Sequence, residues 1–195
     1  MTYKIAHLAD VHIKNLKYHY EYRHVFNQLY AILRKNEVDY IYIGGDIAHT
    51  KTQISPEFVQ LCSELFTNLA EIAPLYIILG NHDGNLRNKS RQNAITPIVN
   101  ALDNSNIHLL ADAGETIVTD DLAFNVLSVF DEDNWVKPSS EDRINIAFYH
   151  GCVAGVQTDA GWVMEYGDHD VSIFAGHDYA MLGDIHKTNQ ILDED

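Results

Sequence analysis

Apolar segments of strand length recur along this 195-residue chain, and most of them end directly in polar residues. In the first half, strand candidates at residues 3–9, 39–43 and 75–79 alternate with segments of helical period. Residues 19–35 and 56–72 are helix candidates, and a third is expected at 91–102. Strands joined by helices predict a parallel sheet, with helices covering both of its faces.

The second half contains short strand candidates with little helix between them. They lie at residues 107–110, 115–118, 123–129, 144–149, 171–175 and 179–182. This change predicts a second sheet packed on the first. The expected fold is therefore α/β, a two-sheet sandwich flanked by helices, formed as one domain over residues 1–195.

The composition restricts the class of protein. There are 13 Lys and Arg against 28 Asp and Glu, a formal charge of −15, which argues against a nucleic-acid binder that relies on bulk positive charge. Two cysteines, no signal-peptide pattern and no apolar run of membrane-spanning length predict a soluble cytoplasmic protein. Eleven histidines in an acidic chain favour metal binding.

Side chains that can hold metal ions follow five of the strand candidates. Ligands of open α/β sheets collect beyond the carboxyl ends of the strands, so these side chains are expected at one edge. Oxygen and nitrogen donors without thiolates suit Mn, Fe or Zn, and their number favours two ions that share a carboxylate. The residues are Asp10 and His12; Asp46 and His49; Asn81, His82 and Asp83; His150; Asp184 and His186.

The spacing within these motifs also suggests a geometry. Asp10 and His12 are two residues apart, which in an extended chain places both on one side with Val11 towards the core. Glycines before Asp46, Asn81 and Asp184 are expected to allow tight turns. Each motif alone is typical of an ordinary turn or surface pair. Their joint placement favours a metal site.

The order of these motifs resembles the calcineurin-like metallophosphoesterases over nearly the whole chain. Finer features are similar to one branch, the SbcD-type nucleases of DNA double-strand-break repair. They are residues 5–12, the Gly-Gly-Asp of residues 44–46 with His49 and Ser55, and residues 178–187. The resemblance implies a four-layer α/β/β/α fold. In this branch a small cap domain follows the catalytic domain, so the chain is expected to be truncated before it.

The resemblance also implies roles for the individual residues. One metal would be held by Asp10, His12 and His186, the other by Asn81, His150 and Asp184, with Asp46 bridging them. His82 would not be a ligand; it would stabilise the transition state or protonate the leaving oxygen. His49 would help to position His82 and the phosphate.

Three residues complete the expected site. Asp83 either orients His82 or faces solvent. His177 lies near the fifth motif and is expected to fix a ligand's orientation. The family usually has His where this chain has Asp184, and this extra carboxylate should shift metal preference towards Mn or Mg.

The implied activity is two-metal hydrolysis of phosphodiesters by a DNA exonuclease and endonuclease that acts on double-strand ends. The expected cofactors are two divalent ions, Mn first, with Mg, Fe and Zn left open. The implied partner is an SbcC-type coiled-coil ATPase, and a homodimer is one option. Because the chain is acidic, DNA affinity is expected to come from a cap or a partner.

Two other functions remain open. The first is a phosphodiesterase or phosphatase that acts on nucleotides or phosphoproteins, since fold and metal site do not fix the substrate. The second is a scaffold that binds a partner ATPase, with Asp184 as the mark of a degenerate site.

Overall fold

The computed structural model describes residues 2–157, 161–165 and 167–186. The chain divides into two compact units, Met1–Ala111 and Asp112–Asp195, here called the N-terminal and C-terminal units. The expected single catalytic domain, truncated before a cap, stays a prediction. Lys187, the last residue of the segment that resembles the nuclease branch, lies outside the described residues, as does the chain end.

The N-terminal unit contains a four-stranded parallel sheet in the order β1-β2-β3-β4. Its strands are β1 (Ile5–Leu8), β2 (Tyr40–Gly44), β3 (Leu75–Ile78) and β4 (Ile107–Leu109). Leu8 pairs with Ile43, and Gly44 with Ile78, so the first three strands end level with one another. The loops that follow them therefore begin side by side at one edge of the sheet.

Three helices connect these strands: α1 (His19–Asn36), α2 (Pro56–Ala70) and α3 (Thr96–Leu102). The beginning of α2 agrees with the sequence signals, because the Ser55 hydroxyl accepts a hydrogen bond from the Phe58 amide and Pro56 occupies the first turn. The apolar stripe of α2 is buried: Phe58, Leu61, Leu65, Phe66 and Leu69.

Two expectations for this unit were wrong. Residues 107–109 pair in parallel with β3 rather than joining the second sheet, because α3 provides the crossover that returns the chain beside β3. The Asn106 side chain fixes this return by donating to the Ala70 carbonyl at 2.6 Å. Helix α3 begins at Thr96 rather than 91, because the Asn93 side chain accepts hydrogen bonds from the Ile95 and Thr96 amides.

The C-terminal unit contains a second four-stranded sheet in the order β5-β6-β7-β8. Strands β5 (Gly114–Thr119) and β6 (Leu122–Leu127) form an antiparallel pair; β7 (Ile144–His150) and β8 (Tyr179–Gly183) are parallel to β6 and to each other. All six residues of β6 are buried. The predicted α/β class with two sheets is confirmed.

The strand predicted at residues 171–175 was wrong. Val171–Phe174 is a short 3-10 helix, and the Asp170 carboxylate caps it by accepting from the Ser172 amide at 2.9 Å. Its apolar side chains pack on the cluster around Tyr149, which accounts for the strand-like alternation of its sequence. Within the described residues, no helix combines the length and hydropathy needed to cross a membrane.

Candidate metal centre

The loops that follow β1 and β2 are hydrogen-bonded to each other beyond the end of the sheet. The Asp10 amide donates to the Gly45 carbonyl at 3.1 Å, and the His12 amide donates to the Asp46 carbonyl at 2.9 Å. The Tyr22 hydroxyl, on α1, donates to the His12 carbonyl at 2.7 Å. The backbone at Asp10, His12 and Asp46 is therefore held by neighbouring elements.

The chain turns at each of these three residues. Asp10, His12 and Asp46 have φ values of 55°, 48° and 52°, in the left-handed region that Asp, Asn and His reach more readily than other non-glycine residues. The expectation that Asp10 and His12 lie on extended chain was wrong. Both still face one cluster, because the tight turns bring their side chains round to the same edge.

The two glycines of these loops have different roles. Gly45 has φ of 87°, which confirms the expected turn before Asp46. Gly80 is needed for space: a Cβ there would collide with the backbone amide and the carboxylate of Asp46. Asp46 thus lies directly against the β3 loop.

The side chains at this edge form a compact set of donors. His12 Nε2 lies 3.6 Å from Asp46 Oδ2. His12, Asp46 and His82 each offer a ligand atom within 4.8 Å of the others, and Asp10 offers one at similar range to His12 and Asp46. Carboxylate oxygens with imidazole nitrogens suit divalent ions such as Mn, Fe, Zn or Mg, so these residues fit such an ion.

His82 is held by the two neighbouring loops. Its backbone amide donates to Asp46 Oδ1 at 2.8 Å, and its Nδ1 lies 2.7 Å from the His49 carbonyl oxygen. Because a carbonyl oxygen only accepts hydrogen bonds, Nδ1 must carry a proton. Nε2 is then the ring nitrogen that is available to contact a substrate. The His12 ring meets the His82 ring edge-on at 4.9 Å between centroids. His49 therefore positions His82 through its backbone; the role of the His49 ring stays a prediction.

Asp83 is fully buried, so the solvent-facing alternative was wrong. Its carboxylate accepts from the Ala48 amide at 2.8 Å and from the Gly80 amide at 2.9 Å. Ala48 belongs to the loop after β2 and Gly80 to the loop after β3. Asp83 thus ties together the two loops that carry Asp46 and His82, and orients His82 indirectly.

Sequence reasoning missed Lys51. Its ammonium group donates to the Asn81 carbonyl oxygen at 3.0 Å, so a positive charge lies beside a predicted ligand. No motif marks this lysine in the sequence. Only the level ends of β2 and β3 bring the residue to Asn81.

The C-terminal unit brings together two more of the predicted ligands. His150 ends β7, is 1% exposed and pairs in register with Gly183 of β8. Asp184 follows at once with φ of 75°, and its Oδ1 lies 3.8 Å from His150 Nε2. His186 is exposed two residues further on.

His177 lies at the opposite end of β8 from Asp184. It precedes β8, whereas Asp184 follows that strand, so the whole strand, about 16 Å long at 3.3 Å per residue, separates them. Its Nδ1 lies 3.0 Å from the Phe174 carbonyl oxygen, and burial lowers the pKa of its imidazole. The role predicted for His177, which is to fix a ligand's orientation, stays a prediction.

Comparison with known proteins shows the family to which this chain belongs. Residues 3–187 match the family model described as calcineurin-like phosphoesterase. The chain is 38% identical over 198 residues to the uncharacterized protein R555 of Acanthamoeba polyphaga mimivirus, an alignment that covers 94% of this chain and 14% of that protein. The solved structure of Pseudomonas putida nuclease MPE is similar with a TM-score of 0.44 and 18% identity, covering 85% of this chain and 72% of that one. Because the family model spans nearly the whole chain, the chain belongs to the calcineurin-like phosphoesterases, which are metal-dependent hydrolases that bind divalent ions.

Proposed function

We propose that this chain is a phosphodiester hydrolase, the catalytic part of a nuclease that processes DNA double-strand ends by exonuclease and endonuclease cutting. The observation that supports it best is the cluster of Asp10, His12 and Asp46 beside His82, whose Nδ1 proton is held by the His49 carbonyl. This arrangement joins metal-binding donors to a group that can transfer a proton.

Each residue has a defined task in this proposal. Asp10, His12 and Asp46 would hold divalent ions, which supply Lewis-acid activation of a phosphoester when bound. With a proton on both ring nitrogens, His82 would donate the one on Nε2 to the leaving oxygen or stabilise charge on the phosphate. Asp83 keeps the two loops in register. On the family resemblance, Asn81, His150, Asp184 and His186 are proposed as further ligands.

The proposed metal is Mn, with Mg, Fe and Zn as alternatives to be tested. All the proposed donors are oxygen or imidazole nitrogen, and Asp184 adds a carboxylate where the family usually has an imidazole. Hard divalent ions prefer oxygen ligands, which supports Mn or Mg.

Four further proposals rest on the resemblance of residues 5–12, 44–55 and 178–187 to the SbcD-type nucleases. They are a DNA substrate, an SbcC-type ATPase partner, a homodimer and a cytoplasmic location. A phosphodiesterase or phosphatase for nucleotides or phosphoproteins is the second candidate, favoured by the charge of −15. A scaffold is the third.

The test measures Mn-dependent cutting of end-labelled linear duplex DNA beside hydrolysis of bis-p-nitrophenyl phosphate. The wild type is compared with His82→Ser and with His24→Ser, an exposed histidine on α1 that serves as a matched control. We expect both activities in wild type and His24→Ser, and neither in His82→Ser. Hydrolysis of the small diester alone would favour the second candidate, and no activity would favour the scaffold.

A further inference from the structure

The charge of the chain is divided unevenly between its two units. Residues 1–111 contain ten Lys and Arg and ten Asp and Glu, and the difference is zero. Residues 112–195 contain three and eighteen, and the difference is −15. The acidity of the whole chain therefore does not describe the N-terminal unit.

Within the N-terminal unit, the loops that carry the candidate metal centre contain more basic than acidic residues. The loops after β1, β2 and β3 hold only three carboxylates: two are proposed ligands, whose charge a divalent ion would offset, and Asp83 is bound by backbone amides. The same loops carry six basic residues, of which all but Lys14 are exposed: Lys14, Lys17, Lys51, Arg87, Lys89 and Arg91.

In the loop after β1, two bulky side chains are exposed at residues whose backbone conformation is unfavourable. Leu16 and Tyr18 have φ values of 56° and 62°, a region that residues of this size rarely adopt. Their side chains are 63% and 57% exposed, so burial does not offset this cost. The Lys14 ammonium lies over the Tyr18 ring, 5.6 Å from its centroid.

This loop is anchored next to a proposed metal ligand. The Lys14 carbonyl oxygen accepts a hydrogen bond from His19 Nε2 at 2.7 Å, and the Tyr18 carbonyl accepts from the Tyr22 amide at 2.9 Å. The Tyr22 hydroxyl in turn donates to the His12 carbonyl. Tyr18 is six residues from His12, so at most about 20 Å of extended chain separates them.

We propose that Tyr18, with Lys14 and Lys17, forms a stacking ledge that binds an unpaired strand of nucleic acid beside the metal centre. The ring stacks on a base, and the two ammonium groups bind phosphates. Paired bases are hidden inside a duplex, so an exposed ring favours an unpaired strand. The basic residues of these loops favour a polyanion over an uncharged partner. This proposal rests on the proposed function in one respect only, which is that the bound strand is delivered to the metal centre for cutting.

The test uses the whole chain and a labelled thymidine oligonucleotide of about twelve nucleotides, within the usual site size. Fluorescence anisotropy is recorded in EDTA, so that no strand is cut. Tyr18→Gly and Leu16→Gly are a matched pair, because each relieves the same backbone strain and only the first removes a ring. We expect Tyr18→Gly to bind the strand about 5- to 150-fold more weakly, and Leu16→Gly to stay near wild type.

Two further measurements separate stacking from charge. With an abasic strand of equal length, wild type and Tyr18→Gly should bind alike. For Lys14→Gln with Lys17→Gln, the plot of log affinity against log salt should become shallower by about 1.4, the value for two phosphate contacts.

Equal loss in both glycine variants, or no loss in Tyr18→Gly, would overturn the ledge. Hydrolysis of bis-p-nitrophenyl phosphate by wild type with Mn is read separately. Hydrolysis without strand binding would refute the ledge alone, whereas strand binding in EDTA without hydrolysis would refute the proposed enzyme alone. If Tyr18→Gly leaves strand binding intact but weakens capture of a protein partner, the loop is a protein contact and the ledge is refuted.

Discussion

At the scale of single residues, His82 holds a proton on Nδ1 through the His49 carbonyl and lies in one cluster with His12 and Asp46. Replacing it with Gln should lower hydrolysis of the small diester by about 10²- to 10⁴-fold, the usual contribution of a general acid. Metal content measured by mass spectrometry should stay at the wild-type level, because His82 is not a proposed ligand. Loss of an ion in the variant would make His82 a ligand instead.

Asp83 is the second residue whose environment predicts a measurable effect. An amide in its place would direct an N–H group at one of the two backbone amides that the carboxylate binds. Asp83→Asn should therefore lower the free energy of unfolding by about 1.5–3 kcal/mol, measured with urea. Asp103→Asn, at an exposed residue, is the control and should change it by less than about 0.5 kcal/mol. Equal effects of the two substitutions would contradict the conclusion that the Asp83 carboxylate ties the two loops together.

Residue types in the site could be predicted better than their conformations. Asp10, His12 and Asp46 were found from their position after strands, because the edge of a parallel sheet is readable from sequence. Their left-handed backbone was not, since Asp and His reach that region only when surrounding hydrogen bonds hold them there. Lys51 was missed because its partner, Asn81, is thirty residues away.

At the scale of elements, α1 and α2 are joined by the ion pair Arg23–Glu64. Arg23 Nε lies 2.7 Å from Glu64 Oε2, and both side chains are about two-fifths exposed, 41% and 37%. The hydrogen bond from Arg23 lowers the pKa of the Glu64 carboxyl. Its contribution to stability is therefore present above the ordinary pKa of Glu and is lost as pH falls through the lowered value.

Arg23→Gln should lower the free energy of unfolding by about 0.2–1 kcal/mol at neutral pH, the range for exposed pairs. The difference from wild type should vanish once the pH is below the lowered pKa of Glu64, where the carboxyl is protonated in both states. A double-mutant cycle with Glu64→Gln isolates the pair, and a coupling free energy that does not change with pH would contradict the ion pair.

Elements with a strong local signal were predicted in full, whereas the sheet to which β4 belongs and the 3-10 helix at Val171–Phe174 were not. Helix α2 has an N-cap, a proline and a continuous apolar face. By contrast, β4 has three residues and depends on β3 for its place. The 3-10 helix at Val171–Phe174 is capped by Asp170 and packs on the cluster around Tyr149, and the alternation of its apolar residues resembles that of a strand.

At the scale of the whole molecule, metal binding should stabilise the fold. Asp10 and Asp46 hold carboxylate oxygens within 4.8 Å of each other, so an ion between them offsets their repulsion. Mn at 100 times its dissociation constant should raise the free energy of unfolding by about 2.7 kcal/mol, read as a rise in melting temperature over EDTA. Asp46→Asn should lose this rise and Asp103→Asn should keep it; a rise retained in Asp46→Asn would place the ion elsewhere.

Total charge was the least informative whole-molecule property. The value of −15 argued for DNA affinity from a cap or a partner, yet residues 1–111 are neutral overall. The division was readable from the sequence once the boundary between units was known.

Because Asp10, His12 and Asp46 have left-handed backbone, stability and activity favour different residues at these positions. Glycine adopts that conformation without the penalty of about 1–2 kcal/mol per residue that a side chain incurs. A library selected for heat resistance alone should therefore enrich glycine at these three positions and yield robust proteins with no catalytic power. Selection for thermostability must keep all three residues constant, because robustness and activity make opposite demands there.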